Sequence, residues 1–189
     1  ETEDPSQTCW EFVEQASGDL GDRMLGWFQQ AASKIPADGD EDEAPSEPDS
    51  TRFSEHAILI GSDCPTVTPH TIDRAVQHLR RNEIVVGPAI DGGYYLIGMQ
   101  LKLLDRARCL FANVPWSTDQ VLSCTLRQAE QSGLSIGLLE PKSDIDTLED
   151  LFDLRDFFAA TSRSEYSAMD KKIEAILEEA YRRNTSSET

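Results

Sequence analysis

Apolar residues near the amino end recur at helical spacing. Leu20, Met24, Trp27, Phe28 and Ala31 form one stripe, which predicts an amphipathic helix over Asp19 to Lys34. Ala57 to Ile60 is an apolar run of strand length that Gly61 and Ser62 break. Thr68-Pro69 reads as a helix start, a hydroxyl cap followed by proline at the first helical position, and Ile72, Ala75, Val76 and Leu79 supply its stripe. Ile84 to Gly87 and Tyr94 to Met99 are the next two strands. Ser117 or Thr118 caps a helix carrying Val121, Leu122, Leu126 and Ala129, which stops at Gly133. Leu134 to Leu139 is a strand and Leu148 to Phe158 a helix. After a polar linker near Thr161 to Ser164, Met169, Ile173, Ile176, Leu177 and Ala180 mark a last helix. Strands alternating with helices predict an α/β fold with a mostly parallel sheet covered on both faces.

Charge narrows the choice of partner. The 189 residues include 35 acidic and 17 basic side chains, a formal net charge of −18. Such a chain repels phosphate backbones and anionic lipid, so neither nucleic acid nor a membrane is expected as partner. No apolar stretch approaches membrane-spanning length. The first residues lack the basic and apolar regions of a signal peptide and an initiator Met, as expected of a trimmed chain. The cytoplasmic location expected here rests on the thiols below. Part of the acidity is local: Asp38 to Asp49 holds seven acids and no base, inside a segment, 36–53, that reads as a solvated insertion. Cys9, Cys64, Cys109 and Cys124 form no Cys-x-x-Cys pair, so reduced structural thiols are expected, not a zinc or redox centre.

Candidate chemistry gathers at loops after the strands. Asp63 falls just beyond the carboxyl end of the Ala57–Ile60 strand, where open α/β sheets bind their ligands. Asp144 and Asp146 follow another strand-like run. Carboxylates converging from separate strand ends suit a hard cation such as Mg²⁺ or Mn²⁺. Between Ser54 and Gln100 the only basic side chains besides histidine are Arg74, Arg80 and Arg81, so a phosphate near Asp63 would need such a cation. Asp144 or Asp146 could equally be a helix N-cap. Asp91-Gly92-Gly93 also has two readings: a tight hairpin turn, or a place where backbone N–H groups approach a ligand and Asp91 binds a hydroxyl or acts as a base. Tyr94 and Tyr95 point to opposite faces of a strand, so at most one lines a pocket. Trp116, Ser117 and Thr118 open a helix that could face an anion. His56, His70 and His78 have no metal-ligand spacing.

Five ordered segments carry a resemblance. Gly18-Asp-Leu-Gly-Asp-Arg-Met24, Ile60-Gly-Ser-Asp-Cys-Pro65, Gly87 to Gly98, Pro115-Trp-Ser-Thr-Asp119 and Asp144 to Leu151 together resemble the DUF2064 family. Its members are glycosyltransferase-A-like proteins of the nucleotide-diphospho-sugar transferase superfamily, some of them designated arsenosugar-biosynthesis glycosyltransferases. The likeness covers roughly Gly18 to Phe158. It implies a GT-A fold, a Rossmann-like three-layer α/β/α arrangement. It further implies a metal-dependent glycosyltransferase moving a sugar from a nucleotide sugar to a small acceptor. Asp63 and Asp146, with Asp144 as alternate, would hold the divalent cation. Asp91 would be catalytic, while Gly92, Gly93, Tyr94, Trp116, Ser117 and Thr118 would contact substrate. A glycine- and basic-rich nucleotide loop after a first strand belongs to the family pattern and has no counterpart in Glu1 to Ser17. Leu148 replaces the proline usual in the Asp-Thr-Pro-Glu-Asp segment, and Ile90 sits where a polar residue is common. The implied organisation is a lead-in over 1–17, a GT-A-like domain over 18–160 and a helical extension over 161–189. A nucleotidyltransferase releasing pyrophosphate and a non-catalytic GT-A-like binding module are the competing readings.

Overall fold

The computed structural model describes residues 12–35, 55–160 and 175–176. The acidic insertion lies outside these, as do residues 1–11 and all of the C-terminal extension save Ala175 and Ile176.

Helix α1 (Leu20–Ser33) begins where its sequence supplies a reciprocal cap. The Asp19 carboxylate accepts from the Asp22 N–H, and the Asp22 carboxylate accepts from the Asp19 N–H. Strand β1 (His56–Ile60) leads through the Asp63 loop into α2 (Pro69–Leu79), which starts at the predicted Thr68 cap with proline in its first turn. Strand β2 (Ile84–Pro88) is buried along its whole length, and β3 (Tyr94–Gln100) is buried except at its ends.

The expectation of a mostly parallel sheet needs correction. The four strands, with β4 at Ile136–Leu138, lie in the order β1-β3-β2-β4. Strand β3 runs antiparallel to both β1 and β2, and only β2 and β4 pair in parallel. The cause is the short connection between β2 and β3. A parallel crossover takes a dozen or more residues, whereas Ala89 to Gly93 close a tight turn in which the Ala89 N–H donates to the Gly93 carbonyl. The sheet is therefore mixed.

A second departure lies between β3 and the next long helix, where the hydrophobic pattern predicts no element. Leu101–Leu103 and Arg108–Phe111 are 3₁₀ turns flanking a short α3 (Leu104–Ala107). Leu101, Leu104, Ala107 and Leu110 are buried at a spacing of three, the period of 3₁₀ rather than α structure. Helix α4 (Val121–Gln131) starts later than expected, after Gln120, and neither Ser117 nor Thr118 is its N-cap. Its predicted stop is present in full. Gly133 has φ +62°, and the N–H groups of Gly133 and Leu134 donate to Glu130 and Ala129, a Schellman closure. Helix α5 (Leu148–Ala160) ends the described domain.

Alternation along the strands divides the core between the two sheet faces. Ile84, Val86, Ile97 and Met99 join Met24 and Phe28 of α1, the 101–111 segment and Ala129 of α4. Val85 and Leu96 join Ala75 and Leu79 of α2 on the opposite face. Helices thus cover both faces of the sheet. Cys64, Cys109 and Cys124 are free thiols, and Cys64 is packed in the second cluster. Among the described residues no helix is long and apolar enough to cross a membrane.

Candidate functional site

The turn between β2 and β3 is the tight hairpin of the first reading of Asp91-Gly92-Gly93. Gly92 adopts φ +95°, and a Cβ there would collide with the Asp119 carbonyl, so only glycine fits. Asp91 Oδ1 accepts from the Gly93 N–H at 2.9 Å, which fixes the side chain within the turn and leaves its second oxygen open. A hairpin loop is thus also the device that presents a carboxylate.

Before α5 the competing reading of Asp144 and Asp146 was helix capping. That task falls to other residues. Thr147 Oγ1 accepts from the Asp150 N–H, and the Asp150 carboxylate accepts from the Thr147 N–H at 2.7 Å and from the Asp146 N–H. The Thr147 hydroxyl also donates to that carboxylate at 2.7 Å, and this bond first, then those from the two N–H groups, hold the Asp150 carboxyl below the usual carboxylate range. The carboxylates of Asp144 and Asp146 are left with no capping role.

These two segments meet. Asp91, Asp144 and Asp146 each offer a carboxylate oxygen, and the three atoms lie within 4.8 Å of one another. Burial pushes the Asp144 carboxyl above its ordinary value, and the nearby charges of Asp91, Asp146 and Asp63 push it in the same direction. Asp63 is not in the compact trio, although its backbone carbonyl accepts from the Ile145 N–H at 2.9 Å and ties its loop to the same segment.

A cavity of about 500 Å³ encloses this cluster. Asp63, Asp91, Gly93, Tyr94, Trp116, Ser117, Thr118, Asp144 and Asp146 line it, so Gly92 alone of the expected site residues does not. Gly92 is a support behind the wall. Trp116 stands edge-on to Tyr94 with ring centroids 6.4 Å apart. Its indole also packs against Gly21, where a Cβ would come within 2.7 Å of the ring. Ser117 adopts φ +62°, a strained left-handed conformation for a residue with a side chain. Thr118 Oγ1 donates to the Pro115 carbonyl and accepts from the Gln120 N–H, which holds the turn that carries Trp116. Tyr95 faces away, its hydroxyl donating to the Glu140 carbonyl, and burial pushes its pKa up to about 12.

Three residues escaped the sequence reading. Leu20, Asp119 and Val121 also line the cavity. Asp119 closes the Trp-Ser-Thr-Asp segment, and an acid there was the available signal. Leu20 and Val121 had none, each being one more member of a helix stripe. One basic side chain binds the loop that follows Asp63. Lys142, distant in sequence, donates from Nζ to the Thr66 carbonyl at 2.9 Å. It does not line the cavity, and among the described residues neither does any other Lys, Arg or His.

Residues 1–118 match the model of the family described as an uncharacterized protein conserved in bacteria, DUF2064. The chain belongs to the DUF2064 family. The match begins ahead of Gly18 and ends before the Asp144 segment, a different span from the one that the motifs suggested. No curated protein matches this DUF2064 chain. Among solved structures it is similar to a candidate nucleotide-diphospho-sugar transferase from Desulfovibrio desulfuricans G20, with a TM-score of 0.65 and 24% identity. The similarity covers 87% of this chain and 64% of that one, so the DUF2064 chain spans less than two thirds of its neighbour. At that identity the likeness establishes a shared fold.

Proposed function

We propose that this DUF2064 protein transfers a sugar from a nucleotide diphosphate sugar to a small acceptor with the help of a divalent cation. One observation carries the reading. Three carboxylates from two separate loops share one cavity with an aromatic wall, on a fold similar to a candidate nucleotide-diphospho-sugar transferase.

The donor set suits Mg²⁺ or Mn²⁺, since it consists of carboxylate oxygens, the ligands that hard cations take. Asp144 and Asp146 would hold the ion, with Asp63 completing the set from its adjacent loop. Such a cation, when bound, neutralises charge on the departing nucleoside diphosphate. Asp91 is the base. Its free oxygen takes the proton of the acceptor hydroxyl while that hydroxyl oxygen bonds to the anomeric carbon. The bond from that carbon to the diphosphate breaks, and its electron pair leaves with the diphosphate. Trp116 offers a flat apolar wall to the sugar or the acceptor, and Gly93, Ser117 and Thr118 offer polar groups around it.

Calorimetric titration with UDP-glucose, with and without Mn²⁺, tests the reading. Mn²⁺-dependent binding that Asp146→Asn abolishes supports it, and metal-independent binding or none sinks it. Product analysis then separates the enzymatic alternatives. Nucleoside diphosphate marks sugar transfer, and pyrophosphate marks nucleotidyl transfer. Binding without turnover of any sugar nucleotide would mark a non-catalytic module. Asp91→Asn divides the two roles open to that residue. As a base it loses turnover and keeps Mn²⁺ affinity, whereas a ligand would lose both.

A further inference from the structure

A second charged concavity, of opposite sign, lies at the carboxyl end of α2. Its volume is about 620 Å³, and Arg74, Gln77, His78, Arg80, Arg81 and Asn82 line it. Arg74 and His78, four apart, share one face of α2, and Arg81 follows in the turn just past the Arg80 cap, its N–H donating to the His78 carbonyl. His78 is seated by its neighbours. Its ring lies against the backbone at Gly137, where any Cβ would strike it, and its carbonyl accepts from Asn82 Nδ2 at 3.0 Å.

Among the described residues the three arginines differ from those held in ion pairs, as Arg127 on α4 also does. Arg106, Arg108 and Arg155 each pair with a carboxylate. Arg74, Arg80 and Arg81 make no side-chain ion pair or hydrogen bond among the described residues. Glu83, the acid next along the chain, is already engaged: Arg106 binds its Oε1, and the Ser135 N–H donates to its Oε2. Asp73 is the remaining acid on α2. Cations at a helix carboxyl end also answer the helix dipole, but that amounts to about half a charge. Three guanidinium groups exceed it, on a molecule whose net charge is −18.

We propose that this concavity binds a phosphate-bearing small molecule. Guanidinium forks match phosphate oxygens in pairs, and Gln77 and His78 can donate to those left over. The site sits at the opposite end of α2 from the Asp63 loop, about 16 Å along the helix axis, and does not depend on the sugar-transfer reading.

The test is calorimetric titration of the chain with inorganic pyrophosphate in EDTA. Without a divalent cation the acidic cavity repels anions, so that cavity cannot account for the signal. Saturable binding is expected, weakened about tenfold or more in the exposed double variant Arg74→Gln/Arg81→Gln. It should be unchanged in Arg127→Gln on α4. Absence of saturable binding at about 1 mM, or equal affinity in the double variant with its helix content intact, overturns the proposal. So does malonate binding as tightly as pyrophosphate, because the recognition would then be of charge alone.

Discussion

Single residues in this molecule are placed against their own electrostatic interest, and Asp144 shows it most clearly. Its carboxyl has a raised pKa because it is partly buried beside other carboxylates. An acid whose folded pKa exceeds its unfolded value binds protons more tightly in the native state. Its ionisation therefore costs stability as pH rises through that interval, and the cost is absent in acid. Asp144→Asn should raise the melting temperature at pH 7 in EDTA by about 1–4 °C, with the gain vanishing near pH 3. The cost is modest because water screens a residue that is only partly buried. Saturating Mn²⁺ should reverse the order and leave the wild type as the more stable protein. Differential scanning calorimetry at the two pH values, with and without Mn²⁺, measures all of this. Gly92 is the opposite case, a residue chosen for having no side chain. Gly92→Ala should lose about 1–3 kcal/mol from left-handed strain, more if Asp119 cannot shift, read as a lower urea midpoint. The sequence made both visible in part. The Asp-Gly-Gly string announced a turn, but only the fold shows why Gly92 must be glycine: the Asp119 backbone lies against it from 27 positions later.

Elements in this fold position the site through their ends. The hairpin closing at Ala89 and Gly93 aims Asp91, and the capping pair Thr147 and Asp150 frees Asp144 and Asp146 while fixing the start of α5. Thr147→Ala should therefore act twice. Loss of the cap costs about 1 kcal/mol, and fraying of the first turn should weaken Mn²⁺ binding although Thr147 offers no carboxylate. Circular dichroism melts and Mn²⁺ titration of the same variant check the pair of effects; stability lost with Mn²⁺ affinity intact would detach the cap from the site. Helix starts and stops were largely legible, since Asp19, Thr68 and Gly133 act through local bonds that their own neighbours encode. The 101–111 segment was not. A repeat of three falls between the helical and strand periods, and only packing under α1 gives it a fixed form. Strand direction was also misread, because alternation of strands and helices says nothing of a five-residue turn.

At the scale of the whole molecule, charge sets the terms. A chain carrying −18 gathers five carboxylates, those of Asp63, Asp91, Asp119, Asp144 and Asp146, around one cavity. Mutual repulsion is the general consequence, and a cation is the specific remedy at the site. The two effects separate experimentally. At ~0.01 M salt the screening length is about 30 Å, and at ~0.15 M it is about 8 Å. Raising NaCl between these limits should increase the melting temperature smoothly, with no saturation at a single stoichiometry. Mn²⁺ added at constant ionic strength should behave differently. A site-bound ion stabilises only the native state, by about 2.7 kcal/mol at a hundred times its dissociation constant, and its effect should follow a one-site curve. Asp146→Asn should abolish that curve and leave the NaCl response in place, because one charge in a surplus of 18 changes the general repulsion little. If Mn²⁺ and NaCl instead stabilise wild type and variant alike, the acidic cluster is part of the general charge and holds no ion.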